Sequence, residues 1–182
     1  KANKGDVIGK AVWSVELFTI GCGYLIEPVE ADILEGETAA DALLRLVHQN
    51  GYIVYHRGTT KASFYMAYVA DGTKTAPKYE GYNSSRKTLG TAPHAPKALR
   101  LAPAIPAVLL SKIDNGQMIF FDPEGYNKDK TVLGEFVFTN GSGWMYSVNH
   151  NFRNVGFANT YLFDGDVVRV QFTLAYGADI GG

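Results

Sequence analysis

At 182 residues, with 46% hydrophobic and 19% charged side chains, the chain has the composition of a globular protein and not of a disordered tail, and it is long enough to bury one real core or two small ones. A net charge of −1 gives no electrostatic footprint for nucleic acid or for an anionic membrane. No apolar run approaches the roughly eighteen residues of a membrane span, and the single cysteine, Cys22, has no internal disulfide partner.

Lys1 to Gly9 is polar and reads as a leader or linker, followed by one domain over residues 10–182. Trp13, Val15 and Leu17 alternate with Ser14 and Glu16, the period of a strand with one face on a core. Gly21-Cys22-Gly23 marks a turn. Thr19-Ile20-Gly21-Cys22 has the outline of a lipoprotein processing site, but Glu16 interrupts the preceding apolar run, so Cys22 reads as a turn residue. Tyr24 to Ile33 is a second extended run, in which Pro28 predicts an edge position or an irregularity. Thr38 opens the clearest helix, with Asp41 placed for a capping box. Ala40, Leu43, Leu44 and Val47 share one face, Asp41, Arg45 and His48 the other, and Asn50-Gly51 is the stop.

Tyr52 to Tyr55 and Phe64 to Val69 read as strands. Residues 74–130 read as an insertion anchored by Tyr79, Tyr82 and Leu89, with a short second helix opened by Pro106 and built on Ile105, Val108, Leu109 and Ile113. Met118 to Phe121 is strand-like and Asp122 to Gly125 a turn; Leu133 to Phe138 then leads back into the last strands. Trp144, Tyr146 and Val148 alternate with their neighbours. So do Val168, Val170, Phe172 and Leu174, and Asp164-Gly165 is a tight turn before them. The predicted class is α+β: a β-grasp-like mixed sheet, one main helix on its face, and a middle insertion carrying the short helix.

Several of these stretches resemble one known family. Trp144 to Asn149 (WMYSVN), Gly156, Leu162 with Asp164-Gly165-Asp166, and the closing YGADIG are similar to the transcobalamin-like C-terminal domain (DUF4430) of Gram-positive bacterial surface proteins. ELFTIGCGYLIEPVE and EGETAADALLRLVHQNGY resemble that domain's first hairpin and helix. The resemblance covers roughly residues 10–70 and 132–181. It implies an extracellular location, secreted or attached to the cell surface through other parts of a longer parent chain. It also implies kinship with the domain that covers one side of a corrinoid in cobalamin transporters. There a helical domain supplies the opposite wall, and no such helical array is present here, so a cobalamin-type corrinoid would need another domain.

Local signatures of catalysis are missing: no phosphate loop, no GxSxG, HExxH or CxxC. His48, His56, His94 and His150 are scattered, and Asp122, Glu124 and Asp129 surround a Pro-Gly turn like solvated loop residues. The chain therefore reads as a non-enzyme. Asp164, Asp166 and Asp179 are the candidate oxygen ligands for calcium, although their spacing does not fit an EF-hand and turn chemistry explains the first two. Trp144, Tyr146, Asn149, Phe152 and Phe157 are the candidate ligand surface, since aromatic rings bring rigid area and amides bring hydrogen bonds; the competing reading places Trp144 and Tyr146 in the core. The Gly181-Gly182 ending also occurs in ubiquitin-like sulfur carriers, but here it follows the family-like YGADIG run. The function expected is a non-catalytic interaction module meeting a protein or a glycan. The alternatives are corrinoid binding with another domain and a calcium-dependent structural module.

Overall fold

The computed structural model describes residues 1–74, 81–90, 95–105, 107–108 and 131–182. The chain opens with a long hairpin, β1 (Val7–Glu16) and β2 (Tyr24–Leu34), joined through a single 3-10 turn at Phe18–Ile20. Helix α1 (Ala39–Gln49) follows, then β3 (Ile53–Thr59) and β4 (Ala62–Ala70), a two-residue β5 (Asn83–Ser84) and a short α2 (Ser85–Leu89). The last described third holds β6 (Val132–Gly134), β7 (Gly143–Val148), β8 (Asn151–Phe152) and β9 (Val167–Thr173).

The fold is α+β. The hairpin and the C-terminal strands form one mixed sheet in the order β2-β1-β9-β7-β8, in which β9 lies parallel to β1 and antiparallel to β7. A hairpin, a helix and a closing strand inserted parallel to the first is the β-grasp-like arrangement. Trp13, Val15, Val168, Val170 and Phe172 are each at most 1% exposed, as their alternation requires, and they share a core with Leu43, Leu44 and Val47 of α1. α1 begins with a complete capping box: the Thr38 hydroxyl accepts from the Asp41 amide, and the Asp41 carboxylate accepts from the Thr38 amide at 2.9 Å. Past its C-cap, Gly51 sits at φ +90°, and a Cβ there would lie 2.5 Å from the Ala95 carbonyl. Pro28 lies in the edge strand, between the pairs Trp13↔Val29 and Val15↔Ile26, where β2 carries an extra residue.

Four expectations are corrected or relocated. β3 and β4 do not join the first sheet but pair with each other in a second, antiparallel sheet, β5-β3-β4-β6. Four consecutive residues of β3, Ile53 to His56, are buried, so the strand is covered on both faces. Ile53 and Tyr55 face a small second core with Ala70 and Val132, and Val54 faces the main one. Second, β1 begins at Val7, inside the stretch read as leader, because Val7 pairs with Leu34. Third, His48 is buried (8% exposed), not on the outer face, and His56 is buried in β3. Fourth, the strand entered at Leu133 stops at Gly134, because Phe136 and Phe138 adopt left-handed backbone angles of +61° and +81° that turn the chain. The middle region also carries α2, a short helix that the sequence reading did not place. The helix expected from Pro106, the strand at Met118–Phe121, the acids Asp122, Glu124 and Asp129, and the anchor Tyr79 and His94 lie outside the described residues, apart from 107–108 of that helix.

On the far side of the first sheet Arg169 pairs with an acid. Its guanidinium donates twice to Glu16, at 2.9 and 2.8 Å, and the Ser14 hydroxyl donates to the same carboxylate at 2.7 Å. Burial pushes the Glu16 carboxyl up, but the bonds from Arg169 and Ser14 outweigh it and hold the group below its ordinary value.

Candidate functional site

The aromatic residues singled out in the sequence are brought together, and most of their surface is inside. Trp144 is 8% exposed and its indole N–H donates to the Leu133 carbonyl at 3.0 Å. Tyr146 stacks on Phe157 (centroids 3.9 Å apart, planes at 22°) and donates its hydroxyl to the Val155 carbonyl at 2.7 Å, with Thr160 also at 2.7 Å. Burial raises the Tyr146 phenol. Phe157 in turn meets Phe64 edge-on, and Phe64 lies against the His56 ring at 4.7 Å. These rings are pillars between the two sheets; the polar atoms of Trp144 and Tyr146 are satisfied, whereas the buried Nε2 of His56 has no hydrogen-bond partner among the described residues. Phe152 is half-buried in β8. Asn149 is exposed, and with His150 it makes the two-residue turn from β7 to β8, both at positive φ (52° and 68°). Its side chain clips that turn to the next strand, donating to Asp166 at 2.8 Å and accepting from the Val167 amide at 2.9 Å.

The three acids do not share a site. Asp164 accepts from the Lys10 amide at 2.9 Å, and Asp166 accepts from the Phe163 amide and from Asn149, both at 2.8 Å. They flank Gly165, at the start of β9. Asp179 follows the other end of that strand, where it accepts from the Leu174 amide at 2.8 Å and from the Thr173 hydroxyl. Asp166 and Asp179 each hold a local turn, and Asp164 ties its turn to β1. Among the described residues no three His, Cys, Asp or Glu side chains converge as a metal cluster would.

What the sequence reading passed over lies immediately above the buried rings. Where the two sheets meet, an open depression of about 270 Å3 is lined by Tyr65, Trp144, Met145, Tyr146, Arg153 and Asn154 among others. It adjoins a second, of about 300 Å3, through the shared residues Tyr65, Trp144 and Met145. The second is floored by Gly141-Ser142-Gly143 and carries Phe136 and Tyr176 on its rim. Those two rings are 58% and 67% exposed, and both stand on left-handed backbone, φ +61° and +53°. For a bulky side chain that conformation costs on the order of 1–3 kcal/mol, and it persists only where the surroundings impose it.

The surroundings do impose it. The Thr139 hydroxyl, fully buried, donates to the Leu174 carbonyl at 2.5 Å and accepts from the Gly141 amide at 3.0 Å, tying the Phe136 turn to the end of β9. The Tyr176 amide donates to the Gly141 carbonyl at 2.9 Å. Asp179 closes the turn that carries Tyr176, and the Thr173 hydroxyl accepts from the Gly177 amide at 2.8 Å. Asp179 thus supports an exposed ring.

The third ring of the groove, Tyr65 (43% exposed), is fixed from the side. Arg57 lies over Tyr65 and Tyr82 (5.7 and 5.2 Å to the centroids) and donates to the Tyr82 oxygen at 2.9 Å and to Glu135 at 3.1 Å. Burial, then the neighbouring Glu135 charge, raises the Tyr65 phenol. Glu135 is the one acid among the described lining residues of both depressions, and Arg57 neutralises it. A usable signal was present in the sequence for one of the two rings: Tyr176 lies beside Gly177, past the alternation that ends at Leu174.

No protein-family model matches the chain, and no curated protein matches it closely. Among the described residues no helix is long and apolar enough to cross a membrane.

Proposed function

We propose that this chain is a non-catalytic extracellular binding module of a bacterial cell-surface or secreted protein, and that it meets its partner, a protein or a glycan, through the aromatic groove at the sheet junction. The observation that carries this reading is the pair Phe136 and Tyr176. Exposed rings held on unfavourable backbone by a buried hydrogen-bond network have no packing reason to be there, and recognition is a reason. The one described carboxylate of the groove is committed to Arg57, and no described lining residue is a histidine or cysteine. The extracellular, DUF4430-like assignment rests on the motifs of the first hairpin, the helix and the last forty residues.

Two measurements test it. Immunodetection of the full parent protein on intact cells and in culture medium checks the location; confinement to the cytoplasm overturns it. Immobilised extracellular proteins and glycans, probed with the wild-type chain and with a Phe136→Asn/Tyr176→Asn variant, check the surface. Asparagine tolerates left-handed backbone, so the variant removes the rings and keeps the turns. Binding that survives both substitutions rules the groove out.

A further inference from the structure

We infer that the groove is built for a neutral glycan chain, laid across Tyr65, Phe136 and Tyr176. This rests on the reading of the groove as the contact surface and goes further in naming the ligand. A pyranose ring has a flat C–H face that packs on an aromatic ring and a rim of hydroxyls that need hydrogen-bond partners. The groove offers both in alternation. Two rings stand out on its rim, 58% and 67% exposed, and Tyr65 lies between its two depressions, while the floor is peptide backbone at Gly141-Ser142-Gly143 and the far end carries Arg153 and Asn154. The two depressions continue into one another through Tyr65, Trp144 and Met145, so the site is elongated and open, a trough for an extended ligand and not a socket for one group.

Charge favours a neutral ligand at the ring-bearing depression: its acid, Glu135, is balanced by Arg57, and the further described lining charge, Arg153, stands in the other depression, away from Phe136 and Tyr176. The polar atoms of the buried rings argue against a proline-rich peptide. Grooves that read extended proline-rich segments use tryptophan N–H and tyrosine O–H groups as donors to the peptide carbonyls. Here the Trp144 N–H is spent on Leu133 and the Tyr146 hydroxyl on Val155.

The test is calorimetric titration of the chain with cello-, xylo-, manno- and galacto-oligosaccharides of six units and with a proline-rich peptide, on wild type, Phe136→Asn and Tyr176→Asn, alongside Phe163→Ser. Phe163 is 74% exposed and lines neither depression, so it controls for unspecific aromatic contact. The expected result is binding of at least one neutral oligosaccharide, weakened about tenfold by removal of either rim ring and unchanged in Phe163→Ser, with melting temperatures no lower than wild type. Amide shift mapping on the wild-type chain should place the perturbations at Gly141, Gly143, Tyr65 and Met145, and this needs no variant to fold. No binding by any oligosaccharide, or binding that ignores both rim substitutions, overturns the inference. Peptide binding lost in both rim variants overturns it too, but leaves the groove as the contact surface. Shifts that map away from the groove remove both readings.

Discussion

Two sets of aromatic rings sit within one junction of the molecule and live under opposite rules. Trp144, Tyr146 and Phe157 are 5–8% exposed, ordinary in backbone, stacked or edge-on to other rings, and hydrogen-bonded wherever they carry a polar atom. Phe136 and Tyr176 are mostly in water and are held at positive φ by bonds made through Thr139 and Asp179. The first set lowers the free energy of the fold. The second is maintained against it. A residue type therefore says little about its job at this junction; the backbone angle and the hydrogen bonds beneath the ring say more.

The largest effect should come from breaking the inner set. Phe157→Ala removes a ring that stacks on Tyr146 and meets Phe64, and we expect a loss of about 3–5 kcal/mol in urea unfolding. A loss under about 1 kcal/mol would mean that the inner rings are not structural pillars. Next comes the support of the outer set. Asp179→Ala abolishes acceptance from the Leu174 amide and the Thr173 hydroxyl, and should cost about 1–2 kcal/mol. Calcium at millimolar concentration should not shift the melting temperature of the wild type, because this acid serves a turn; a rise would return Asp179 to the metal reading.

A third prediction uses pH to separate the sets. His56 lies in the inner network, and burial holds its imidazole below the ordinary value of 6.5, outweighing the Arg57 and Gly58 carbonyls that favour the charged form. The unfolded chain then binds the proton first. Stability contributed by a neutral His56 is complete above pH 6.5 and declines as the pH falls from there toward the depressed folded value. His56→Phe should flatten that part of the stability curve, and an unchanged slope would place the titrating group elsewhere. The smallest effect belongs to the rim rings. Phe136→Gly and Tyr176→Gly relieve strain but add chain entropy to the unfolded state, so each should leave stability within about 1 kcal/mol of wild type, tending upward. A clear destabilisation would show that the outer rings pack like the inner ones.

Much of the frame was readable because local and global preferences agree there. The capping box at Thr38, the alternation of Trp13, Val15 and Leu17, and that of Val168 to Leu174 each state a local rule that the packing then uses. The second sheet was not readable, since alternation tells which side chains point together and not which strand lies alongside; β3, buried on both faces, gives no alternation at all. The groove was half readable. Trp144, Tyr146 and Phe157 form its base, but Phe136 sat in what looked like the continuation of a strand. Its turn is set by Thr139 reaching Leu174, thirty-five residues away, and no neighbour of Phe136 encodes that bond. Asp166 and Asn149 show the same limit: the turn was legible, and the clasp between them was not.

The parallel pairing of β1 with β9, from Val12↔Val167 to Glu16↔Gln171, has a mechanical consequence. Tension applied through the two ends of the chain pulls these neighbouring strands lengthwise in opposite directions. Their rungs must then slide together in shear, where an antiparallel terminal pair would unzip one rung at a time. A tether passing through this fold would yield only at high load.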